Sequence, residues 1–301
     1  MAVLVGTRDG YHVFSSSGER DHALAGHSVD AFTPGPFGTW VAVVDGQGLW
    51  CHGPDDTWSE RAAADQQLTS LTTASDVVFA GTDDARVLRL EGDALVALTG
   101  FDDAPGRDQW HQVGPPIQVR SLTATSDGAV VLANVHVGGI LRSTDGGASW
   151  EPTLPVDDDV HEVVGHPARP DVVVAAAAVG LCRSVDAGRT WTVERDGLEH
   201  STYSRGVALL DDTVFISNAD GPFASSSRLY RAEVDGGRLD LVGDGLPDEV
   251  AGMIDTRGVA ARNGAVALAS RAGHVWVRAR GRDQWAQLAE DLDGVKCVAV
   301  V

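Results

Sequence analysis

The chain has 301 residues and 43 acidic against 23 basic side chains, a formal charge of −20. That balance argues against the phosphate footprint of a nucleic-acid binder, which needs clustered lysine and arginine. No apolar run reaches the ~20 residues of a membrane-spanning helix. Met1 leads directly into Ala-Val-Leu-Val without a basic segment and a long apolar one behind it, so the expected location is cytoplasmic. Cys51, Cys182 and Cys297 are odd in number, lie far apart in apolar runs and lack C-x-x-C spacing. They are expected to be buried thiols, with neither a disulfide framework nor a zinc site.

Taken in order, the chain repeats one unit: an apolar strand, a short polar or glycine turn, and a second strand. It recurs at 3–14, 41–52, 77–90, 130–143, 172–184, 214–231 and 266–280. A further short strand precedes each unit, at VDAF (29–32), LTSL (68–71), VRSL (119–122), HEVV (161–164), SRGV (204–207), TRGV (256–259) and VKCV (295–298). These are expected to be the innermost strands. Outer strands are marked by Trp58, Trp110, Trp150, Trp191 and Trp285, and the pentapeptide GRDQW at 106–110 returns verbatim at 281–285. No stretch carries the 3.6-residue period of a helix. Seven units in 301 residues average 43 residues, the length of a four-stranded blade. The expectation is one all-β domain over residues 1–301, a seven-bladed β-propeller with four-stranded antiparallel blades. Its ring would be closed by the C-terminal strand Val295–Val301 pairing with the N-terminal blade, leaving only short, protected edges.

Ser143-Thr144-Asp145-Gly146-Gly147-Ala148-Ser149-Trp150 recurs 41 residues later as Ser184-Val185-Asp186-Ala187-Gly188-Arg189-Thr190-Trp191. Both fit S-x-D-x-G-x-[ST]-W. The carboxylate can accept bonds from nearby backbone N–H groups, the glycine takes positive φ without a Cβ penalty, and the tryptophan anchors the returning strand. The pattern resembles the Asp-box, or BNR, repeat of sialidase-like and related β-propellers. Over essentially the whole chain, and most of all in 160–198, the sequence resembles the WD40/YVTN/BNR-like seven-bladed propellers of archaea and bacteria. One lysine, Lys296, stands against 22 arginines and 33 aspartates. That composition resembles a haloarchaeal cytoplasmic protein, whose self-repulsion is screened in concentrated salt. Folded stability is accordingly expected to depend on molar salt. Unfolding midpoints that stay constant as KCl is removed would contradict this.

Strand order puts the two Asp-box turns, with Ser143, Asp145, Gly147, Trp150, Ser184, Asp186, Gly188 and Trp191, at the blade end opposite the candidate site, as structural braces. Candidate ligand-binding residues at the other end are Arg120, Arg205, Arg257 and Lys296 on the inner strands, with His111, Asn134, His136, Tyr203, Asn218 and Asp220 on the loops. Converging guanidiniums would recognise a carboxylate or phosphate bidentately. Equally, these cations could pair with Asp30, Glu162 and Asp255 and serve only the fold. The segments Gly100–Pro116 and Asn218–Ser227 interrupt the regular spacing, and such long loops on rigid scaffolds often carry binding.

Walker, strand-linked G-x-G-x-x-G, G-x-S-x-G and H-E-x-x-H motifs are all absent, so the motifs name no catalytic residue, and no cofactor or metal is expected. The Asp boxes invite a sialidase-like reading in which Arg120, Arg205 and Arg257 imitate an arginine triad, Tyr203 the nucleophile and Glu162 its base. The F-R-I-P opening of that family is missing, and its enzymes have six blades. The expected function is a non-catalytic propeller recognising a partner protein, or a small anionic or carbohydrate ligand, at its channel mouth. The alternative is a glycoside hydrolase or lyase using carboxylates and arginines on the same face.

Overall fold

All seven expected strand pairs form in the computed structural model, which describes every residue except Ser16, Ser17, Pro54, Asp56 and Pro115. Pro115 belongs to the long Gly100–Pro116 segment and lies outside the described residues. Blade 1 takes Ala2–Gly6, Tyr11–Ser15 and Arg20–Ala23 from one chain end and Cys297–Val300 from the other. Blade 2 is Val29–Pro34, Trp40–Val44, Gly48–His52 and Trp58–Ala63; blade 3 is Leu68–Ala74, Val77–Thr82, Val87–Glu91 and Ala94–Ala97. Blade 4 is Val119–Ala124, Val131–Val135, Gly139–Ser143 and Glu151–Leu154; blade 5 is Val160–Gly165, Val173–Ala177, Gly180–Ser184 and Thr192–Glu194. Blade 6 is Ser204–Leu210, Thr213–Asn218, Ser226–Glu233 and Asp240–Leu241, with Val250–Ala251 added beside its third strand. Blade 7 is Val259–Arg262, Ala265–Ala269, Val275–Arg278 and Ala286–Ala289. Each sheet is antiparallel, with strands in chain order except in blade 1, whose first strand is the C-terminal Cys297–Val300, and the fold is a seven-bladed β-propeller.

The chain divides into two compact units. The first is Met1–Asp30, Ala176–Leu181 and Val193–Val301; the second is Ala31–Ala175 and Cys182–Thr192. In the second unit, Phe101, Leu141 and Trp150 centre one core, and Val41, Leu49, Val78 and Leu88 another. In the first, Phe215, Leu268 and Trp285 pack together, while Val3, Ala267 and Val298 form a separate cluster. Second strands such as Val131–Val135 and Ala265–Ala269 are buried at every residue. Their sequences are therefore almost continuously apolar instead of alternating, as strands covered on both faces require.

Hydroxyl groups on the first strands tie neighbouring blades together. Thr69 Oγ1 donates to Val119 O (2.6 Å), and Ser70 Oγ to the same oxygen (2.9 Å). Ser121 Oγ accepts from Val163 N (3.0 Å), and Thr123 Oγ1 from Gly165 N (2.8 Å). In the other unit Ser217, on the second strand of blade 6, donates from its Oγ to Ile254 O (2.8 Å), in the segment leading to blade 7. A small polar side chain here reaches across to a backbone group of the neighbouring segment, where buried backbone groups need partners. The first strands of blades 3, 4 and 6 also share a register shift, between Leu68 and Ser70, Val119 and Ser121, and Ser204 and Val207. Thr69, Arg120 and Arg205 sit at these shifts, and a bulge re-aims the side chain it carries.

The two octapeptide turns are built alike. Ser143 Oγ donates to Asp145 Oδ1 (2.8 Å) and accepts from Gly147 N (2.8 Å). Asp145 accepts from Ser149 N (2.9 Å) and Ser149 Oγ (2.6 Å). In the second turn Ser184, Asp186, Gly188 and Thr190 repeat these bonds at 2.8, 2.8, 2.9 and 2.7 Å. Gly147 and Gly188 adopt φ of 89° and 78°, the left-handed region that a Cβ disfavours. Hydrogen bonds from Ser149 hold the Asp145 carboxyl at about 2. Burial opposes the same shift at Asp186, but bonds from Thr190, Ser184 and Arg189 bring it to about 2 as well.

Several expectations need correction. Trp110 does not mark an outer strand, because Ala94–Ala97 fills that place in blade 3. The first GRDQW holds a 3₁₀ turn at Arg107–Gln109, whereas the second is turn leading into Ala286–Ala289. Identical pentapeptides thus take different forms: Arg107 stacks its guanidinium 4.6 Å from the Trp110 ring, and Trp285 is instead clamped in the core beside Phe215. One α-helical turn, Thr99–Asp102, drives Phe101 into the core although no helical period announces it. The first strand of blade 7 begins at Val259 and the last strand of the chain at Cys297, so Arg257 and Lys296 precede their strands. Trp191 and Cys51 are only half-buried, whereas Trp150, Cys182 and Cys297 are buried.

Candidate functional site

In the first unit the candidate residues gather where the second strands end and the third begin. Arg205 leaves the bulge of blade 6 and is 6% exposed. Its Nε donates to Asp255 Oδ1 (2.8 Å), its Nη1 donates to the Tyr203 hydroxyl (3.0 Å), and its guanidinium lies 5.6 Å from the Tyr203 ring. Asp255 also pairs with Arg271 and accepts from Thr256 N (2.8 Å). One carboxylate is therefore shared by two guanidiniums, a charge-assisted cluster whose partners satisfy one another. Arg271 keeps 61% of its side chain exposed. Lys296 Nζ lies 3.1 Å from Asp30 Oδ1. Arg257 occupies the left-handed region, φ 61°, and its carbonyl accepts from Val298 N (2.9 Å).

The Asn218–Ser227 segment joins this cluster. Asn218 is fully buried, and its Nδ2 donates to Ser201 O (2.9 Å). The outgoing stem is braced by Arg228, which pairs with Asp220 (3.0 Å) and with Glu249. Ser226 and Ser227 pair with Ala251 and Val250, and Ile254 N donates to Ser227 Oγ (2.9 Å). At the apex Phe223 is 97% exposed.

In the second unit Asn134 and His136 project from the second strand of blade 4. Asn134 is fully buried and donates to Val160 O (3.1 Å). His136 is buried, with Nε2 3.9 Å from Asp159 Oδ1, and the equally buried His161 has Nε2 3.4 Å from Asp159 Oδ2. Burial acts to raise the Asp159 carboxyl, yet His161, His136 and Arg120 together bring it below its ordinary value. Glu162 is buried and Arg120 half-buried. His111 is exposed, its Nδ1 3.2 Å from Gln109 O, with its backbone N donating to Val137 O. Among the described residues no group of three His, Cys, Asp or Glu is arranged to hold a metal ion, and no helix is long and apolar enough to cross a membrane.

Seven of the ten sequence-derived residues fall into two groups; Arg120 acts on Asp159 beside the second, Lys296 pairs with Asp30, and Arg257 lies against the last strand. Tyr203, Arg205, Asn218 and Asp220 share one neighbourhood with the Asp255 and Arg271 that pair with them, while His111, Asn134 and His136 share another. Asn134 and Asn218 spend their amides on backbone carbonyls. Phe223 was hidden inside a stretch otherwise remarkable only for its length, and nothing in its immediate sequence announces an aromatic left in solvent.

Neither a protein-family profile nor a curated protein matches the chain. Similar solved structures include a Bacteroides uniformis protein proposed as a 6-phosphogluconolactonase, with 15% identity and a TM-score of 0.66, covering 99% of this chain and 98% of that one. An ancestral GH74 enzyme gives 13% identity and 0.64, covering 88% of this chain and 39% of that one. The GH74 xyloglucanase of Xanthomonas campestris gives 16% and 0.59, with 87% and 46% covered. The chain spans less than half the length of both GH74 enzymes. At these identities the likeness establishes the propeller fold, and the chain's own side chains must carry any functional reading.

Proposed function

We propose that the chain is a non-catalytic propeller that recognises a partner protein through the surface formed by Tyr203, Arg271 and the Asn218–Ser227 loop. The observation that carries this reading is Phe223, 97% exposed on a loop whose stem is stapled by Arg228, Asp220 and Glu249. A large aromatic held rigidly in water is what an interface centre uses, because little ordering entropy is lost when it is covered. The Arg205–Asp255–Arg271 cluster beside it supports binding over sialidase-like catalysis. Its guanidiniums already hold a carboxylate, and the Tyr203 hydroxyl accepts a hydrogen bond from Arg205. The glycoside-hydrolase alternative needs two opposed carboxylates free to act, and Asp255 is occupied by two arginines.

The test is affinity purification from the native cell, comparing wild type with Phe223→Ser and with Phe37→Ser as a control. Phe37 is 91% exposed but lies on another loop. The reading expects a specific protein retained by wild type and the control and lost with Phe223→Ser. Equal retention by all three contradicts it. Hydrolysis of a glycan by the wild-type chain, lost in Asp255→Asn, would turn the assignment to the enzyme.

A further inference from the structure

At the other end of the same blade-6 strand lies a cleft unrelated to the surface above. Thr213–Asn218 runs from this cleft, at Thr213, to the Tyr203 neighbourhood, at Asn218. The cleft measures about 470 Å³ and is lined by Arg231 and Glu233 from the third strand, the Gly236-Gly237-Arg238 hairpin and Arg278 from blade 7. That volume falls in the range of small-ligand sites, about 300–1,000 Å³, but the walls are polar where such sites are usually apolar.

The three guanidiniums are not equivalent. Arg238 is held by Asp196 (3.0 Å), Glu199 (2.6 Å) and Asp240 (3.7 Å), and Arg231 lies 3.4 Å from Asp244. Arg278 has no carboxylate partner among the described residues; its guanidinium is instead stacked 5.1 Å from the ring centre of Phe215. Phe215 is fully buried in the core and carries Arg278 half-buried above it. Among the described arginines that line this cleft, Arg278 alone is left without a carboxylate. Contact with the Phe215 ring restrains the guanidinium, Arg278 lines the cleft, and a guanidinium so placed can take an oxyanion bidentately. Gly237, at φ 135°, puts no side chain into the adjoining space, and a Cβ there would meet no atom within 4 Å.

We propose that this cleft is an anion-binding site for a small polar molecule bearing one carboxylate or phosphate, with Arg278 as its principal ligand and Arg231 as a second. The acidic neighbours of Arg231 and Arg238 select against highly charged ligands, because each further negative charge would face carboxylates already in place. A sugar carrying a single acid group meets these requirements: its carboxylate or phosphate would take Arg278 and its hydroxyls the polar walls.

Isothermal titration of the full chain with glucuronate, glucose 6-phosphate and neutral glucose, at one fixed ionic strength, tests this. Saturable binding of one or both anions and none of glucose is expected, and which anion binds tells carboxylate from phosphate. Arg278→Gln should weaken binding by roughly tenfold or more, the loss of a charge-assisted pair. Arg278→Lys keeps the charge without the fork and should fall between. Arg231→Gln should cost less than Arg278→Gln, and Arg271→Gln, near the opposite end of the strand, nothing. The circular dichroism of each variant separates lost binding from lost fold. Failure of both anions to bind, equal binding of glucose, or wild-type affinity in a folded Arg278→Gln overturns the proposal.

Discussion

Trp150→Ala should be more damaging than Trp191→Ala, the matching truncation in the second octapeptide. The ring is 4% exposed, lies edge-on to Phe101 with centroids 5.0 Å apart at 86°, and its Nε1 donates to Gly147 O at 3.1 Å. Burying a tryptophan removes about 150–250 Å² from water, worth about 4–6 kcal/mol at ~25 cal/mol/Å². The edge-to-face pair adds about 0.5–1.5 kcal/mol. Partial collapse of the site onto the vacated space offsets some of this, and measured truncations of large aromatics fall at about 3–5 kcal/mol. A value near 4 kcal/mol is expected. Trp191, at the same place in the second turn, is half-buried and donates at 3.2 Å to the Thr153 hydroxyl, itself at a partly exposed position. With less of its area covered, its truncation should cost less, about 2–3 kcal/mol. Guanidinium unfolding at equal m-value compares the two. A Trp150→Ala loss below about 1 kcal/mol, or equal losses for both, would refute the reasoning from burial.

Two further outcomes follow from the turns and the glycines. Asp145 and Asp186 titrate at about 2 in the fold against an ordinary 3.8, so the unfolded chain binds their protons more tightly. Their contribution is complete above about pH 4, declines as pH falls toward 2 and is absent below. Ser149→Ala and Thr190→Ala remove the hydroxyl donors and should flatten that acid limb in unfolding midpoints taken between pH 2 and 6; unchanged slopes contradict the assignment. Gly197 sits at φ 94° with its would-be Cβ overlapping Leu239 O, whereas Gly92 sits at φ 62° in open space. Gly92→Ala should cost only the left-handed penalty, about 1–2 kcal/mol, and Gly197→Ala clearly more; equal thermal shifts would contradict the close approach.

What the sequence made legible is what repeats. Apolar runs bounded by glycine and aspartate placed all seven strand pairs, and the octapeptides placed their own turns, because each motif residue acts on atoms a few positions away. The C-terminal strand's partner was also legible, since only the N-terminal sheet lacked a first strand. What stayed hidden depends on atoms remote in sequence. Both copies of GRDQW are locally identical, and only their neighbours, Phe101 for one and Phe215 for the other, separate a 3₁₀ turn from a strand entry. Arg205, Arg257 and Lys296 align as sequence, yet one is on a bulge and two precede their strands. Arg278 drew no notice because the signal is the carboxylate it does not meet, and no string of residues displays that.

The pairing of Val3–Gly6 with Cys297–Val300 has a consequence in time. During synthesis the first three strands leave the ribosome early, and their sheet then waits for nearly the whole chain before its remaining edge is covered. That edge is a row of unpaired backbone groups on Ala-Val-Leu-Val, the kind of surface that seeks another strand. The wait ends when residues some 295 positions apart meet, an entropic cost that grows only slowly with length, about 0.6 kcal/mol per doubling. The late strand then locks both ends at once, with Ala2 and Val301 exchanging backbone bonds of 3.0 Å in each direction. A nascent chain stalled before residue 297 would hold six blades' worth of sequence beside one open edge, and protection of that first sheet would arrive last.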